Sequence, residues 1–105
     1  MLVQINTDSR VDGSDAASGA LEEQVRERLI RFSERLTRVE VHLRDRGGDR
    51  NGPEGVEVSI EIRPSGGQPI VVSDRAPDSG SAMAGALRKA IDSLDRVVSK
   101  KDAVR

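Results

Sequence analysis

Apolar residues recur every three or four positions through the first third of the chain. A short aliphatic stretch, Leu2 to Asn6, precedes them and predicts a first strand. Ser14 is a residue type that caps helices, and the following Asp15 suits the positive end of a helix dipole. The apolar positions then form one stripe: Ala17, Leu21, Val25, Leu29, Phe32 and Leu36. The pattern predicts a single long helix.

From Val39 the apolar period falls to two, which is typical of half-buried strands. The segment from Arg44 to Gly55 is rich in glycine and is predicted to be a loop between two such strands. The strands would bury one set of residues: Val39, Val41, Leu43, Val56, Val58, Ile60 and Ile62. The alternate positions form a polar face: Glu40, His42, Arg44, Glu57, Ser59, Glu61 and Arg63.

The last part of the chain predicts one more strand and a second helix. Pro69 to Ser73 forms the strand, and Asp74 to Gly80 a loop. Ser79 or Ser81 can cap the helix that follows. The apolar face of this helix comprises Met83, Leu87, Ala90, Ile91, Leu94, Val97 and Val98.

The element order is therefore β-α-β-β-β-α, which predicts a mixed α/β (α+β) fold. A right-handed crossover makes the first two strands parallel, and the two loop-linked pairs that follow are antiparallel. Both helices can lay one apolar stripe on the same face of a four-stranded mixed sheet, which gives a two-layer sandwich. Without a second apolar layer the other sheet face is expected to be wet. We expect a single domain over residues 1–105.

The composition excludes several classes of protein. The chain has no Cys, so disulfide scaffolds and thiolate metal sites are excluded. Its aliphatic runs are too short for a membrane span or a secretory signal, and we expect a cytoplasmic protein. Phe32 is the one aromatic residue, so stacked aromatic platforms for single-stranded nucleic acid are absent. RNA contacts are expected to go through phosphates and sugars.

The formal net charge of -1 hides a segregation of charge along the sequence. Residues 26–50 carry eight basic and five acidic side chains, and residues 81–105 carry six and three. Each of these blocks is therefore +3, while the remaining residues are acidic overall. Positive charge thus collects on the two predominantly helical segments.

Catalytic and metal-binding patterns are weak in this chain. His42 is the only imidazole, and it lies on the polar side of a strand, where a surface position or a contact to a partner fits better than catalysis. Two groups of acidic and amide residues also lack the calcium-loop spacing and are interpreted as solvated loop residues: Asp8, Asp12 and Asp15, and Asp45, Asp49, Asn51 and Glu54. We expect no metal, cofactor or small-molecule substrate.

Two rows of basic residues are the positive functional signal. On the first helix Arg28, Arg31, Arg35 and Arg38 are spaced 3, 4 and 3 and would share one flank. On the second helix Lys89, Arg96 and Lys100 line up, with Arg88 beside them. These rows either are solvated helix faces, with Glu27 or Glu34 pairing some arginines, or form ridges that contact RNA phosphates.

The helix-to-strand junction, residues 31–43 (RFSERLTRVEVHL), resembles that of the ribosome hibernation-promoting factors and ribosome-associated translation inhibitors. This family is also known as the sigma-54 modulation proteins. The opening QINTD at residues 4–8, QPI at 68–70 and DSLDR at 92–96 are similar to the same family, especially its short form. The resemblance extends over nearly the whole chain in the same element order.

The resemblance implies a non-enzymatic protein that binds the 30S ribosomal subunit and its 16S rRNA, in the channel used by mRNA and tRNA, and blocks translation under stress. By this resemblance, Arg28, Arg31, Arg96 and Lys100 match basic positions that contact ribosomal RNA. Long family members continue into a dimerising domain beyond the point where this chain ends, so we expect no such domain here. The oligomeric state stays open.

Two other function classes remain open from the sequence. A protein-interaction or regulatory module could keep the fold and use the polar sheet face or the loops to meet a protein partner, without binding ribosomes. A small enzyme is the weaker alternative. Salt dependence separates the first from RNA binding, because contacts to phosphates weaken steeply as salt is added.

Overall fold

The computed structural model describes residues 1–8, 14–45 and 55–104, and the side chains of these ranges as far as Val97. The strands are β1 (Leu2–Thr7), β2 (Leu36–Asp45), β3 (Val56–Pro64) and β4 (Ile70–Ala76). The helices are α1 (Asp15–Arg28) and α2 (Ser79–Val104), with a 3₁₀ segment (Ile30–Arg35) between α1 and β2. Most of the predicted loop from Arg44 to Gly55 lies outside the described residues, including Asp49, Asn51 and Glu54, and so does Asp12.

The four strands form one sheet in the order β1-β2-β3-β4. β1 runs parallel to β2, with Val3 opposite Val39, and the other two pairs are antiparallel. The predicted β-α-β-β-β-α order and mixed sheet are thus confirmed.

The core lies between the sheet and the helix layer. Every second residue of β2 and β3 points into it, as the period of two predicts, and Val39, Val41 and Ile60 have no exposed surface. The α2 side of the core is made of small and flexible residues: Ala82, Met83, Ala86, Leu87, Ala90 and Leu94. Val56 and Ile91 were expected in this core, but they are only partly buried at its margin.

The first helix is shorter than its apolar stripe predicts. α1 ends at Arg28, and the 3₁₀ segment begins with the Phe32 N–H donating to the Leu29 carbonyl at 3.0 Å. At the far end of that segment the Arg35 carbonyl accepts from the Ser65 N–H of the β3–β4 turn at 2.8 Å, and Leu36 is already in β2. Leu29, Phe32 and Leu36 are all buried, but the prediction of one long helix is wrong.

The caps of the two helices differ in how well the sequence predicts them. Ser14 caps α1 as predicted, because its Oγ accepts from the Ala17 N–H at 3.2 Å. At α2 the cap is Asp78, whose carboxylate accepts from the Ser81 N–H at 2.8 Å. The prediction of Ser79 or Ser81 is therefore wrong, since Asp78 precedes the helix and carries the stronger acceptor.

Gly55 leads into β3 with a backbone that only glycine tolerates well. Its φ is +62°, and a Cβ there would lie 2.1 Å from the Ala76 carbonyl oxygen of β4. Gly66, in the β3–β4 turn, has a similar φ of +73° but open space around it.

We expect Gly66→Ala to lower the free energy of unfolding by about 1 kcal/mol, because alanine is strained in the left-handed backbone conformation. Gly55→Ala should cost clearly more, because β4 must also move; urea unfolding of both variants measures the difference. Equal losses would contradict the close approach.

Candidate nucleic-acid interface

The basic residues predicted to contact RNA lie on four different elements. Arg28 ends α1, Arg31 and Arg35 belong to the 3₁₀ segment, Arg38 is in β2, and the other four are in α2: Arg88, Lys89, Arg96 and Lys100. The side chain of Lys100 lies outside the described residues. The predicted row along one flank of the first helix is therefore wrong, because the helix stops before three of its four members.

Arg38 is on the opposite side of the molecule from the helix layer. It lies on the sheet face that the helices leave uncovered, which we call the open face. Its Nη2 donates to the Gln4 Oε1 on β1 at 2.9 Å, and its guanidinium also pairs with Glu40. Residues that alternate with the buried Val39 must point to this side. Arg38 cannot share a surface with the helix arginines.

Arg31 bridges the two helical elements. Its Nη2 is 3.0 Å from the Asp95 Oδ1 of α2, and its guanidinium carbon is 4.4 Å from the centroid of the Phe32 ring. The Arg31 side chain remains 60% exposed. Asp95 was missed by the sequence analysis, because the two residues meet only once α2 has packed beside the 3₁₀ segment.

Lys89 ties α2 to the edge strand β4. Its Nζ donates to the Ser73 carbonyl oxygen at 2.8 Å and is 3.6 Å from the Asp74 Oδ1. Through these contacts Lys89 holds α2 against β4. Its charge is therefore less available to a partner than the sequence spacing suggests.

Three arginines remain exposed without such ties: Arg28, Arg88 and Arg96. Over residues 1–8, 14–45 and 55–97, no carboxylate lies within ion-pairing distance of any of them. An arginine that has no internal ion pair does not have to break one when it binds a phosphate. These three are the strongest candidates among the predicted residues.

Arg28 and Arg96 lie toward one end of the molecule together with Arg31 and Arg35, whereas Arg88 lies in the first half of α2. The contact between Arg31 and Asp95 shows that the end of α1 and the second half of α2 reach the same end of the sheet, where β2 begins. We call this the basic end and define it by Arg28, Arg31, Arg35 and Arg96. The negative end of a helix dipole favours cations, so arginines near the α1 C-terminus are well placed.

The open face carries arginines too, but glutamates accompany them. Arg63 pairs with Glu61 at 3.1 Å, and Arg75 lies 3.8 Å from Glu57 across β3 and β4. His42 is exposed there, as predicted, with its Nε2 3.5 Å from the Glu40 Oε1. No three potential metal-binding side chains converge on this face or elsewhere in the described part of the chain. Arg38, Arg63 and Arg75 on the open face thus each have a glutamate partner, whereas the described residues offer none to Arg28 and Arg96 at the basic end.

No α-helix in the described part of the chain is both long enough and apolar enough to cross a membrane.

Comparisons with known proteins agree with this architecture. The N-terminal domain of Thermus thermophilus Protein Y has a similar fold with a TM-score of 0.73, 17% identity, and coverage of 92% of this chain and 99% of that one. A ribosomal subunit interface protein from Coxiella burnetii gives a TM-score of 0.71 at 15% identity, covering 94% and 99%. A search of curated protein sequences finds no significant match. The family model described as Sigma 54 modulation protein / S30EA ribosomal protein matches residues 7–104, and the chain belongs to this family.

Proposed function

We propose that this protein binds the 30S ribosomal subunit by placing its basic end against 16S rRNA, and so blocks translation in stressed cells. One observation carries the proposal: Arg28, Arg31, Arg35 and Arg96 are exposed at one end of a fold that belongs to the S30EA ribosomal protein family. A solved relative with this fold bears the name of a ribosomal subunit interface protein. A ribosomal partner implies action in the cytoplasm.

The mechanism is occupancy rather than catalysis. Arginines at the basic end neutralise phosphates and release the counterions around them, which supplies affinity without reading sequence. A domain held in this way in the channel for mRNA and tRNA excludes both by volume. Translation then stops for as long as the protein stays bound.

The test measures binding of the purified chain to 30S subunits over a series of salt concentrations. We expect the logarithm of the affinity to fall linearly with the logarithm of salt concentration. In cell extracts the chain should sediment with 30S and 70S particles. A chain that stays at the top of the gradient, and binds 30S subunits no better than a neutral protein, would exclude the proposal.

Asp95 is expected to lower the affinity for 30S subunits, because its carboxylate forms an ion pair with Arg31. Asp95→Asn keeps the side-chain shape but removes the competing charge, so Arg31 becomes free to meet a phosphate. We expect about threefold or greater tightening on 30S subunits at moderate salt. The control is Asp92→Asn, one turn earlier on α2 and exposed, which changes net charge equally. Equal effects of the two changes would show that Arg31 makes no special contact.

A second candidate is a protein-interaction module that uses the open face. A depression of about 290 Å³ on that face is lined by His42, Arg44, Glu57, Ser59 and Ser73, a mixture of charges suited to a polar protein surface. Substitutions on this face separate the two functions, as described below.

A further inference from the structure

A depression between α2 and the edge strand β4 adjoins the basic end. It encloses about 280 Å³ and is lined by Ile70, Ser93, Arg96 and Val97. Ile70 begins β4, and the other three residues belong to the second half of α2. We call this hollow the edge depression.

Arg96 supplies the edge depression with a positive charge that no carboxylate neutralises. Its side chain is exposed, and the described residues place no ion-pair partner beside it. Arg31, on the neighbouring 3₁₀ segment, differs in this respect because it pairs with Asp95 at 3.0 Å. An anion that enters the edge depression can therefore contact Arg96 without breaking an existing ion pair.

Ser93 adds a hydroxyl group whose hydrogen bonds are not used inside the protein. The residue is half-buried, and its Oγ has no hydrogen-bond partner among the side chains and backbone that the structure describes. A serine hydroxyl can donate one hydrogen bond and accept two. Ser93 and Arg96 are three residues apart on α2, so the two side chains lie on the same helix face. A ligand in the edge depression can reach both of them.

The rest of the edge depression is apolar. Ile70 and Val97 are both half-buried, so each presents part of its side chain to the hollow. The edge depression therefore combines an aliphatic wall, one hydroxyl and one guanidinium group. A matching ligand has an apolar surface, a hydrogen-bonding group and an anionic group next to each other.

We propose that the edge depression binds one ribose-phosphate unit of an RNA strand. The C–H groups of the sugar pack on Ile70 and Val97, the 2′-hydroxyl forms a hydrogen bond with Ser93 Oγ, and the adjacent phosphate contacts Arg96. This inference rests on the proposed function and adds a means of distinguishing RNA from DNA, because DNA lacks the 2′-hydroxyl. An apolar protein side chain would leave Ser93 and Arg96 unused, and inorganic phosphate would leave the aliphatic wall bare.

The experiment compares two single strands that differ in the sugar. The full chain is titrated at low salt with oligouridylate and with oligodeoxyuridylate, each about ten nucleotides long. We expect the RNA strand to bind about threefold more tightly, which is the effect of one added hydrogen bond. Uridine 3′-monophosphate tests whether a free ribonucleotide is the ligand instead. It should bind more weakly than the strand, because it carries a single phosphate.

Two variants assign the preference to particular side chains. Ser93→Ala should remove the difference between RNA and DNA while the affinity for DNA stays the same. Arg96→Gln should weaken the binding of both strands alike, because both carry phosphates. The matched control is Ser18→Ala, which also removes a half-buried helical serine but lies on α1, near the end opposite to Arg28. This control should keep the preference for RNA.

NMR of labelled isoleucine and valine methyl groups locates the contact. The Ile70 and Val97 signals should shift with oligouridylate, while the signals of the exposed Val71 on the open face should stay still. Circular dichroism and thermal unfolding check that each variant keeps the fold.

The outcomes separate this inference from the proposed function. If the chain binds 30S subunits with steep salt dependence, but Ser93→Ala keeps the preference for RNA or oligouridylate does not bind, the inference is overturned and the proposed function stands. Tighter 30S binding by Ser93→Ala, with the preference for RNA unchanged, would show that an apolar protein side chain occupies the edge depression. Monophosphate binding as tight as that of the strand would also contradict the inference. If neither the strands nor 30S subunits bind, the proposed function fails as well.

Discussion

Phe32→Ala should lower the free energy of unfolding by about 3 to 5 kcal/mol. Phe32 is 4% exposed and fills the space between the 3₁₀ segment, β2 and α2, so its removal loses apolar burial and leaves a cavity. The Arg31 guanidinium over the ring loses its partner as well. For a domain of this size the loss approaches the whole stability. Urea denaturation followed by circular dichroism measures it.

Val71→Ala provides the control for this substitution. Val71 lies on the open face of β4 and is 65% exposed, so its truncation should change stability by less than about 0.5 kcal/mol. A loss under about 1 kcal/mol for Phe32→Ala would contradict the burial of the ring and with it the packing of the 3₁₀ segment.

The sequence predicts which residues of the first stripe are buried but not where the helix ends. Leu29, Phe32 and Leu36 are spaced three and four apart, which fits a continuing α-helix. The same spacing also fits a 3₁₀ turn followed by a strand, and no Gly or Pro marks the change. The deciding contact, from the Ser65 N–H to the Arg35 carbonyl, comes from a distant turn. Long-range packing therefore set this boundary.

β4 shows a different reason for a wrong boundary. The structure continues this strand to Ala76, whereas Asp74 and Arg75 were predicted to be in a loop because they are polar. At the sheet edge both side chains have ion-pair partners: Lys89 lies near Asp74, and Glu57 lies near Arg75. With these ion pairs, polar residues can extend an edge strand. A prediction based on the alternation of apolar residues does not detect such an extension.

The candidate site was predicted as a set of residues and not as a surface. Arg28, Arg31, Arg35 and Arg96 do meet at one end, but through helix packing rather than a shared helix flank. The apolar pocket lined by Phe32, Leu36 and Val97 was not predicted, because these residues look like ordinary core positions in the sequence. Its shape depends on how the 3₁₀ segment, a turn and α2 approach one another.

Replacing Arg28 and Arg96 together with Gln should weaken binding to 30S subunits by about tenfold or more. Both side chains are exposed and neither belongs to an ion pair in the described part of the chain, so up to two phosphate contacts disappear while the fold survives. The slope of log affinity against log salt should flatten by up to about two units. Filter binding or sedimentation over a salt series provides both values.

The matched control replaces Arg44 and Arg75 with Gln on the open face, which alters the net charge by the same amount. These two residues lie near the ends of β2 and β4, away from the basic end. We expect little change in affinity and slope. If the control variant weakened binding and the basic-end variant did not, the partner would meet the sheet, and the protein-interaction function would be favoured.

The two faces of the sheet should differ in how well they tolerate substitutions. Its ion pairs are exposed and each contributes little to stability, so folding alone should tolerate most polar substitutions there. The alternate positions of the same strands, such as Val41 and Ile60, have no such freedom, because each is fully buried. Mutational tolerance should therefore alternate residue by residue along β2 and β3. Any open-face position that proves intolerant in cells, yet is neutral for folding, marks a contact with a partner.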